Sequence, residues 1–319
     1  MADLLATLRQ QINSSVRADE PLARHTSARV GGPADFFLVV RSATDVVQAV
    51  DTAESLGIPW TVIGSASNVL IADEGVAGLV LKQATKGLQI RSAGGCTTAE
   101  VEAGTLVAAA AQDTVTQGYA GLEWSINVPG TVGAAVVNNS GAFGSSTYEH
   151  LLSADLYLAG AGVQCVAAAD LRPAYRTTLL KSGALRGVVL RGVFQLEPGD
   201  PVRLGARLRE IQAQRRATQP TGFSLGSMFT NPPGDHAGRL IEAAGLKGLR
   251  EGQVEVATLH ANLMLARNGA RAQDVVSLLG RVQQAVWRDG GVWLRPEIQL
   301  LGRWPGGFMD EMNAPRATD

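Results

Sequence analysis

The residues of this chain with the most chemical potential sit in runs rich in glycine and small polar side chains. The stretch Gly121–Gly144, GLEWSINVPGTVGAAVVNNSGAFG, sets Gly130, Gly133, Gly141 and Gly144 beside Pro129, Thr131, Asn138, Asn139 and Ser140. Glycines let a backbone approach a ligand closely and turn successive N–H groups towards it. Asn and Ser add short hydrogen-bonding side chains. The chemistry implied is a backbone cradle for a phosphate or a polar heterocycle. The same letters also suit a pair of tight turns around a buried strand at Ala134–Val137, since turn residues collect in loops for their own reasons. A second cluster, Gly64, Ser65, Ala66, Ser67 and Asn68, follows directly on the apolar run Trp60–Ile63.

Other candidates are isolated. In WLRPEIQLLG, Val292, Leu294, Ile298 and Leu300 share one strand parity and are expected to face a core, while Arg295, Glu297 and Gln299 share the other. Pro296 argues for an edge or a break. On pattern alone Glu297 is a solvated edge charge, Ser227 is a turn residue in a loop between two helices, and Arg176 is a surface arginine. No His/Asp spacing makes Ser227 a hydrolase nucleophile. Arg215 and Arg216 stand at the end of an expected helix, where cations complement the dipole. The four histidines, His25, His150, His236 and His260, form no HxxxH or HExxH pattern, so no metal site is expected.

The elements that must position these residues follow from periodicity. Residues 1–21 read as a lead-in helix. Phe36–Val40, Trp60–Ile63, Leu79–Leu81, Val101–Ala103 and Val188–Leu196 read as strands. A helix capped by Thr44 or Asp45 runs to about Leu56, and an Ala-rich helix spans Leu106–Gln117. Ser153–Ala169 reads as a hairpin turning at Gly160–Gly162. That GAG lacks the third glycine and following helix of a dinucleotide fingerprint. Beyond Pro198–Pro201 the expectations are a helix that carries Leu204, Leu208 and Ile211 and ends before Pro220, helices over Ala237–Ala244 and Ala272–Arg288, strands over Val254–Ala257 and Ala261–Ala266, and a last strand over Val292–Leu301.

Composition bounds the rest. The chain has 319 residues and a formal net charge of −1, so no polyanion partner is implied. Cys96 and Cys165 form no CxxC, which signals neither a disulfide framework nor a metal. There is no signal-peptide pattern and no apolar run of ~18 residues. The expectation is a soluble cytoplasmic monomer acting on small molecules, with no nucleic-acid or membrane partner.

The order of the motifs adds a resemblance. HTSARVGGPADFF at His25–Phe37, VIGSASNVLI at Val62–Ile71, the Gly121–Gly144 run, AYRTT at Ala174–Thr178, GSMFTNPPG with LIEAAGLKG at Gly226–Gly248, HANLML at His260–Leu265 and WLRPEIQLLG at Trp293–Gly302 together resemble the MurB family of UDP-N-acetylenolpyruvoylglucosamine reductases. The resemblance implies an α+β chain. It has an FAD-binding fold of the vanillyl-alcohol-oxidase/PCMH type in two subdomains, plus a C-terminal α+β substrate-binding domain. The boundaries expected are 22–199 for the FAD domain (about 22–85 and 86–199), 200–303 for the substrate domain and 304–319 for a flexible tail. FAD is expected to bind noncovalently on Gly64, Ser65, Ala66, Ser67 and Asn68 and on Pro129, Gly130, Thr131, Gly133, Asn139, Ser140, Gly141 and Gly144. NADPH is the expected co-substrate, reducing the flavin and then leaving to make room for the enolpyruvyl sugar nucleotide.

By the same resemblance Arg176 faces the substrate carboxylate, Ser227 protonates the carbon next to it, and Glu297 lies near the reacting carbon. Glu297 is protonated, or orients its neighbours, or relays a proton; an ionised carboxylate beside an enolate is repulsive. Arg215, Asn231, Arg239, Lys247 and His260 are the expected substrate contacts. No Tyr occurs between Tyr175 and Gly226, which fits the shorter type of the family without a tyrosine-bearing loop. Several family glycines are replaced, by Ala66, Asn127 and Ala134, and Thr230 stands where a lysine is usual. Ala66 matters if its φ must be positive. The rival readings are another FAD-dependent oxidoreductase of the same fold and a degenerate flavin- or nucleotide-binding protein.

Overall fold

The computed structural model describes residues 2–12, 15–305, Phe308 and Met312. The expected tail therefore lies mostly outside the described residues. Two compact units are woven from alternating segments. The first takes Met1–Arg17, Phe37–Ser65 and Gly78–Ala217; the second takes Ala18–Phe36, Ala66–Ala77 and Thr218–Asp319. A single boundary near residue 200 was expected. Instead most of the helix Pro201–Thr218 belongs to the first unit, and two early segments belong to the second.

In the first unit the helix Ala43–Ser55 buries Val46, Ala49, Val50 and Ala53. Its cap is Ser42, not Thr44 or Asp45. The Ser42 hydroxyl accepts from Asp45 N, and the Asp45 carboxylate accepts from Ser42 N, each at 3.1 Å, a reciprocal box that satisfies otherwise orphaned amides. The strand Trp60–Ile63 runs parallel to Val76–Gln83 in the register Trp60↔Leu79 to Ile63↔Lys82. An antiparallel sheet follows in the order Gly162–Ala167, Leu151–Leu158, Val188–Pro198, Cys96–Glu102, Leu88–Ala93. Its inward side chains, among them Val101, Ala154, Leu156, Val189 and Phe194, pack with Val107, Ala111, Val132 and Val136 of two helices into one core.

The alternative of a buried strand at Ala134–Val137 does not hold, for that segment is part of a helix, Val132–Asn138. Ala and small residues favour that geometry as readily as a turn-bounded strand. Asn139 ends it in the left-handed region at φ 43°, and Ser140 N closes back on Ala135 O at 3.1 Å. A two-residue hairpin then joins Gly141–Ala142 to Ser145–Ser146 through Phe143 (φ 52°) and Gly144 (φ 81°), the mirror-image turn that suits twisted strands.

The second unit is built on the antiparallel order Phe223–Ser227, Leu263–Ala266, Val254–Val256, Arg250–Glu251. The helix Ala272–Gly290 lays Val275, Val276, Leu279, Val282 and Val286 into its core with Leu225, Met228, Phe229 and Ile298. Asp73 accepts from Ala272 N and Gln273 N at 2.9 and 3.1 Å, satisfying the first amides of that helix. The expected last strand is shorter than its pattern. Only Gln299–Leu301 is regular, paired in parallel with Val69–Ile71, and Pro296 interrupts the run as its missing N–H requires. No helix among the described residues is long and apolar enough to cross a membrane.

Candidate active site

Ser227 closes the strand Phe223–Ser227 and is not in a loop between helices. Glycine at 226 weakens the strand signal and marks a bulge, which the register shows between Ser224 and Ser227. Gly226 takes φ +74°, a conformation that favours glycine. The residues after Ser227 are gripped by backbone and by one side chain. Asn262, 5% exposed, accepts from Phe229 N at 3.0 Å and donates to Phe229 O at 2.8 Å. Its carbonyl accepts from Met228 N at 2.9 Å. Asn262 thus continues the ladder with a side-chain amide where the strand has stopped. On the other side Glu297 N donates to Met228 O at 2.8 Å, and Phe229 bridges Pro296. Ser227 and Glu297, far apart in sequence, stand on neighbouring backbone segments of the second unit, and both are half-buried.

The letters Gly222–Gly226 spell G-x-S-x-G around Ser224. No nucleophile elbow results: Ser224 lies within a paired strand and its hydroxyl accepts from Gly226 N at 3.1 Å.

Arg176 belongs to the first unit. It sits at φ 58° in a tight turn in which Ala174 and Thr177 exchange backbone hydrogen bonds of 3.0 and 3.1 Å. Its guanidinium donates to Asn139 O at 3.2 Å and to Gly141 O at 2.6 Å. Asn139 Nδ2 donates back to Ala174 O at 3.0 Å, and Thr178 Oγ1 to Val137 O at 2.7 Å. A left-handed arginine whose guanidinium is tied to two carbonyls of one loop is a strained residue of the kind that collects at functional sites. The same bonds explain Gly141, where a Cβ would meet Ser145 O at 2.7 Å and Arg176 Nη1 at 3.0 Å.

The two glycine-rich loops approach each other. A Cβ added at Gly64 would fall 2.3 Å from Thr131 Oγ1. Part of the expected cradle is already committed, since Val132 N and Gly133 N donate to Thr105 O and Ala103 O at 2.9 and 2.8 Å. Ala66 does carry a positive φ, 45°, where an L side chain costs roughly 1–2 kcal/mol. Asn127 is not among the positive-φ residues and Ala134 lies in a helix, so those two exchanges are benign.

Residues 219–301 match the family described as UDP-N-acetylenolpyruvoylglucosamine reductase, C-terminal domain, and residues 34–166 match an FAD binding domain. A UDP-N-acetylenolpyruvoylglucosamine reductase of Rubrobacter xylanophilus is 41% identical over 92% of this chain and 97% of its own. One from Gloeobacter violaceus is 40% identical over 89% and 97%. The crystal structure of the MurB reductase from Thermus caldophilus superposes with a TM-score of 0.76 at 30% identity, covering 90% of this chain and 98% of that one. The chain belongs to the UDP-N-acetylenolpyruvoylglucosamine reductase family.

For a member of this reductase family the cofactor is FAD, and the residues present fit it. The matched FAD domain contains Gly64 and Thr131, whose close approach makes one surface of two loops. At the end of the same run Asn138 Oδ1 and Tyr148 OH are buried without a hydrogen bond among the described residues. Gly144 owes its identity to the hairpin turn, for a Cβ there meets nothing within 4 Å.

The expected substrate contacts of the reductase divide. Arg215 is half-buried, and burial holds its guanidinium below the ordinary arginine range. A cation desolvated in this way suits an anionic ligand. Asn231 accepts from Ala237 N at 3.0 Å, capping the helix Ala237–Ala243. Arg239 pairs with Asp235, which holds that carboxyl down at about 2. Lys247 pairs with Glu242 at 2.5 Å. These three have work within the fold. Burial pushes the His260 imidazole below its usual range, and its Nδ1 accepts from Asn262 N at 3.3 Å, which puts the proton of the neutral ring on Nε2. Sequence reasoning missed Asn262. The signal available was its place in the HAN triplet beside His260. Among the described residues no group of His, Cys, Asp and Glu is arranged for a metal ion.

Proposed function

We propose that this chain reduces UDP-N-acetylglucosamine enolpyruvate to UDP-N-acetylmuramate with electrons from NADPH, a step of peptidoglycan synthesis. The observation that carries this reading is the meeting of the Ser227 and Glu297 segments through Met228 inside the matched C-terminal domain. FAD, when bound, supplies the two-electron relay between NADPH and the enolpyruvyl group.

The chain's own residues handle charge and protons. Hydride addition at C3 of the enolpyruvyl group sends an electron pair towards C2 and the carboxylate. Arg176, fixed by the carbonyls of Asn139 and Gly141, stabilises that charge. A lysine, as a point charge, would not reproduce its planar fork. Ser227 gives its hydroxyl proton to C2, completing the reduction. A hydroxyl suffices as the acid because the acceptor is an enolate. Glu297 acts through Ser227, orienting the hydroxyl or returning a proton to it, since an ionised carboxylate against the enolate would raise the barrier. Arg215 takes an anionic part of the sugar nucleotide, and His260, neutral, is a further substrate contact. The loops Gly64–Asn68 and Pro129–Gly144 hold the flavin. The absence of a further Tyr between Tyr175 and Gly226 supports the shorter family type, and we place the reaction in a cytoplasmic monomer.

Ser227→Ala tests the reading. Stopped-flow traces should show flavin reduction by NADPH at the parental rate and reoxidation by the enolpyruvyl sugar nucleotide slowed ~10²–10⁴-fold, the usual worth of a positioned proton donor. Reoxidation at the parental rate would remove Ser227 from the mechanism.

A further inference from the structure

Asn68 stands where the Ser227 and Glu297 segments converge. Its side-chain Nδ2 donates to Leu225 O at 3.0 Å and to Ser227 O at 3.3 Å. Both acceptors are carbonyls, so the amide can face them only with its nitrogen. Its own carbonyl accepts from Gln299 N at 3.0 Å, and Val69–Ile71 then run alongside Gln299–Leu301. Gln299 follows Glu297 by one intervening residue. One residue thus grips both segments, Ser227 by its side chain and the Glu297 run by its backbone.

The bulge explains why such a grip is needed. Between Ser224 and Ser227 the ladder to Leu263–Ala266 slips, and Gly226 turns through φ +74°. A bulge leaves backbone groups unpaired and re-aims the side chains that follow it. Asn68 spans that defect, meeting the carbonyls on both sides of Gly226. A Cβ at Gly226 would lie 3.5 Å from Ser67 O and 3.6 Å from Asn68 Nδ2, so the loop lies directly against the bulge. An unsupported bulge would leave the Ser227 hydroxyl free to swing, and an error of about 1 Å in a catalytic group is enough for roughly a hundredfold loss.

We propose that Asn68 is the positioning residue for proton delivery: its side-chain amide locks the bulge so that the Ser227 hydroxyl keeps its aim. The inference rests on the reading of Ser227 as the proton donor.

Asn68→Asp tests it, because the replacement has the same shape but offers an acceptor where two carbonyls require donors. Turnover should fall roughly 10- to 100-fold with the KM for the enolpyruvyl sugar nucleotide little changed, and the solvent isotope effect on flavin reoxidation should rise. Lowering the pH protonates the new carboxyl and restores a donor. The Asn68→Asp turnover should therefore recover relative to the parent as pH falls, and Asn68→Ala should show no such recovery. In a Ser227→Ala background, adding Asn68→Asp should change turnover by less than about threefold, since residues that act through one another are non-additive. Parental turnover in Asn68→Asp, or the same fractional loss in both backgrounds, would overturn the proposal. Parental reoxidation in Ser227→Ala alone would instead remove the donor, and this inference with it. Should the Asn68→Asp protein not fold, Asn68→Ser removes the amide without opposing a charge to the carbonyls and carries the same comparison.

Discussion

Replacing Gly64 by Ala should weaken FAD binding through a single contact. The new methyl would lie 2.3 Å from Thr131 Oγ1, 3.0 Å from its Cγ2 and 3.2 Å from its Cβ. Turning the threonine about χ1 relieves at most the first two. The Cβ contact stays tighter than van der Waals, and Thr131 is only 5% exposed, so it has little room to retreat. Overpacking of this kind costs about 1–3 kcal/mol. If the two loops part in the variant apoprotein to relieve the overlap, FAD held across both, as proposed, must draw them together again, and the energy then appears in the dissociation constant. At 1.4 kcal/mol per tenfold, Kd should rise roughly 5- to 150-fold. Titrating apoprotein with FAD and following the quenching of flavin fluorescence measures it. Thr131→Ala removes Oγ1 and Cγ2 and leaves only the 3.2 Å contact, so the Gly64→Ala, Thr131→Ala protein should bind FAD more tightly than the product of the two single losses allows. A Gly64→Ala protein with parental affinity, or strictly multiplicative losses, would refute the idea that the loops form one surface.

Asn262→Ala should destabilise the second unit by about 2–6 kcal/mol, because the N–H and C=O of buried Phe229 both lose their partner and each such group costs roughly 1–3 kcal/mol; urea unfolding against the parent measures this, and a change under 1 kcal/mol would mean that water replaces the amide. The pH dependence of stability should carry a His260 component of known sign. Its folded pKa lies below the ordinary 6.5, so the unfolded chain takes up the proton first, and stability is full above about 6.5 and falls as pH drops from there towards the folded value. Denaturation midpoints between pH 5 and 7.5 should show a slope that His260→Gln reduces; an unchanged slope would exclude His260 as its source.

Local patterns were legible in the sequence and distant partnerships were not. Trp60–Ile63 is a strand end to end because apolar β-formers are cut off by a glycine, and the Gly160–Gly162 hairpin follows from glycines able to take φ near 78°. The helix Ala272–Gly290 shows its buried face in the spacing of its valines and leucines. Ser227 was misread because GSM carries no strand periodicity; its strand exists only through pairing with Leu263–Ala266. The helix Val132–Asn138 was not legible because four small apolar residues fit either state. The catalytic candidates came from the order of motifs, not from their local chemistry. What no pattern could reveal was the work of Asn68 and Asn262, whose acceptors lie up to 159 and 33 residues away. Asn68 reads as one more turn residue until the carbonyls of Leu225 and Ser227 are seen beside it.

The pairing of Val69–Ile71 with Gln299–Leu301 also sets a timetable for synthesis. The early strand leaves the ribosome long before its partner exists. At ~5–20 residues per second, the roughly 230 residues between them occupy on the order of 10–50 s. Through that interval Leu70 and Ile71, both fully buried in the finished protein, belong to a nascent strand with one edge unsatisfied. Such an edge invites pairing with other chains. Asp73, waiting in the same stretch for the helix Ala272–Gly290, is likewise without the amides it will later serve. The second unit can therefore close only after Gln299–Leu301 has been made, and until then Val69–Ile71 is the segment most in need of shielding.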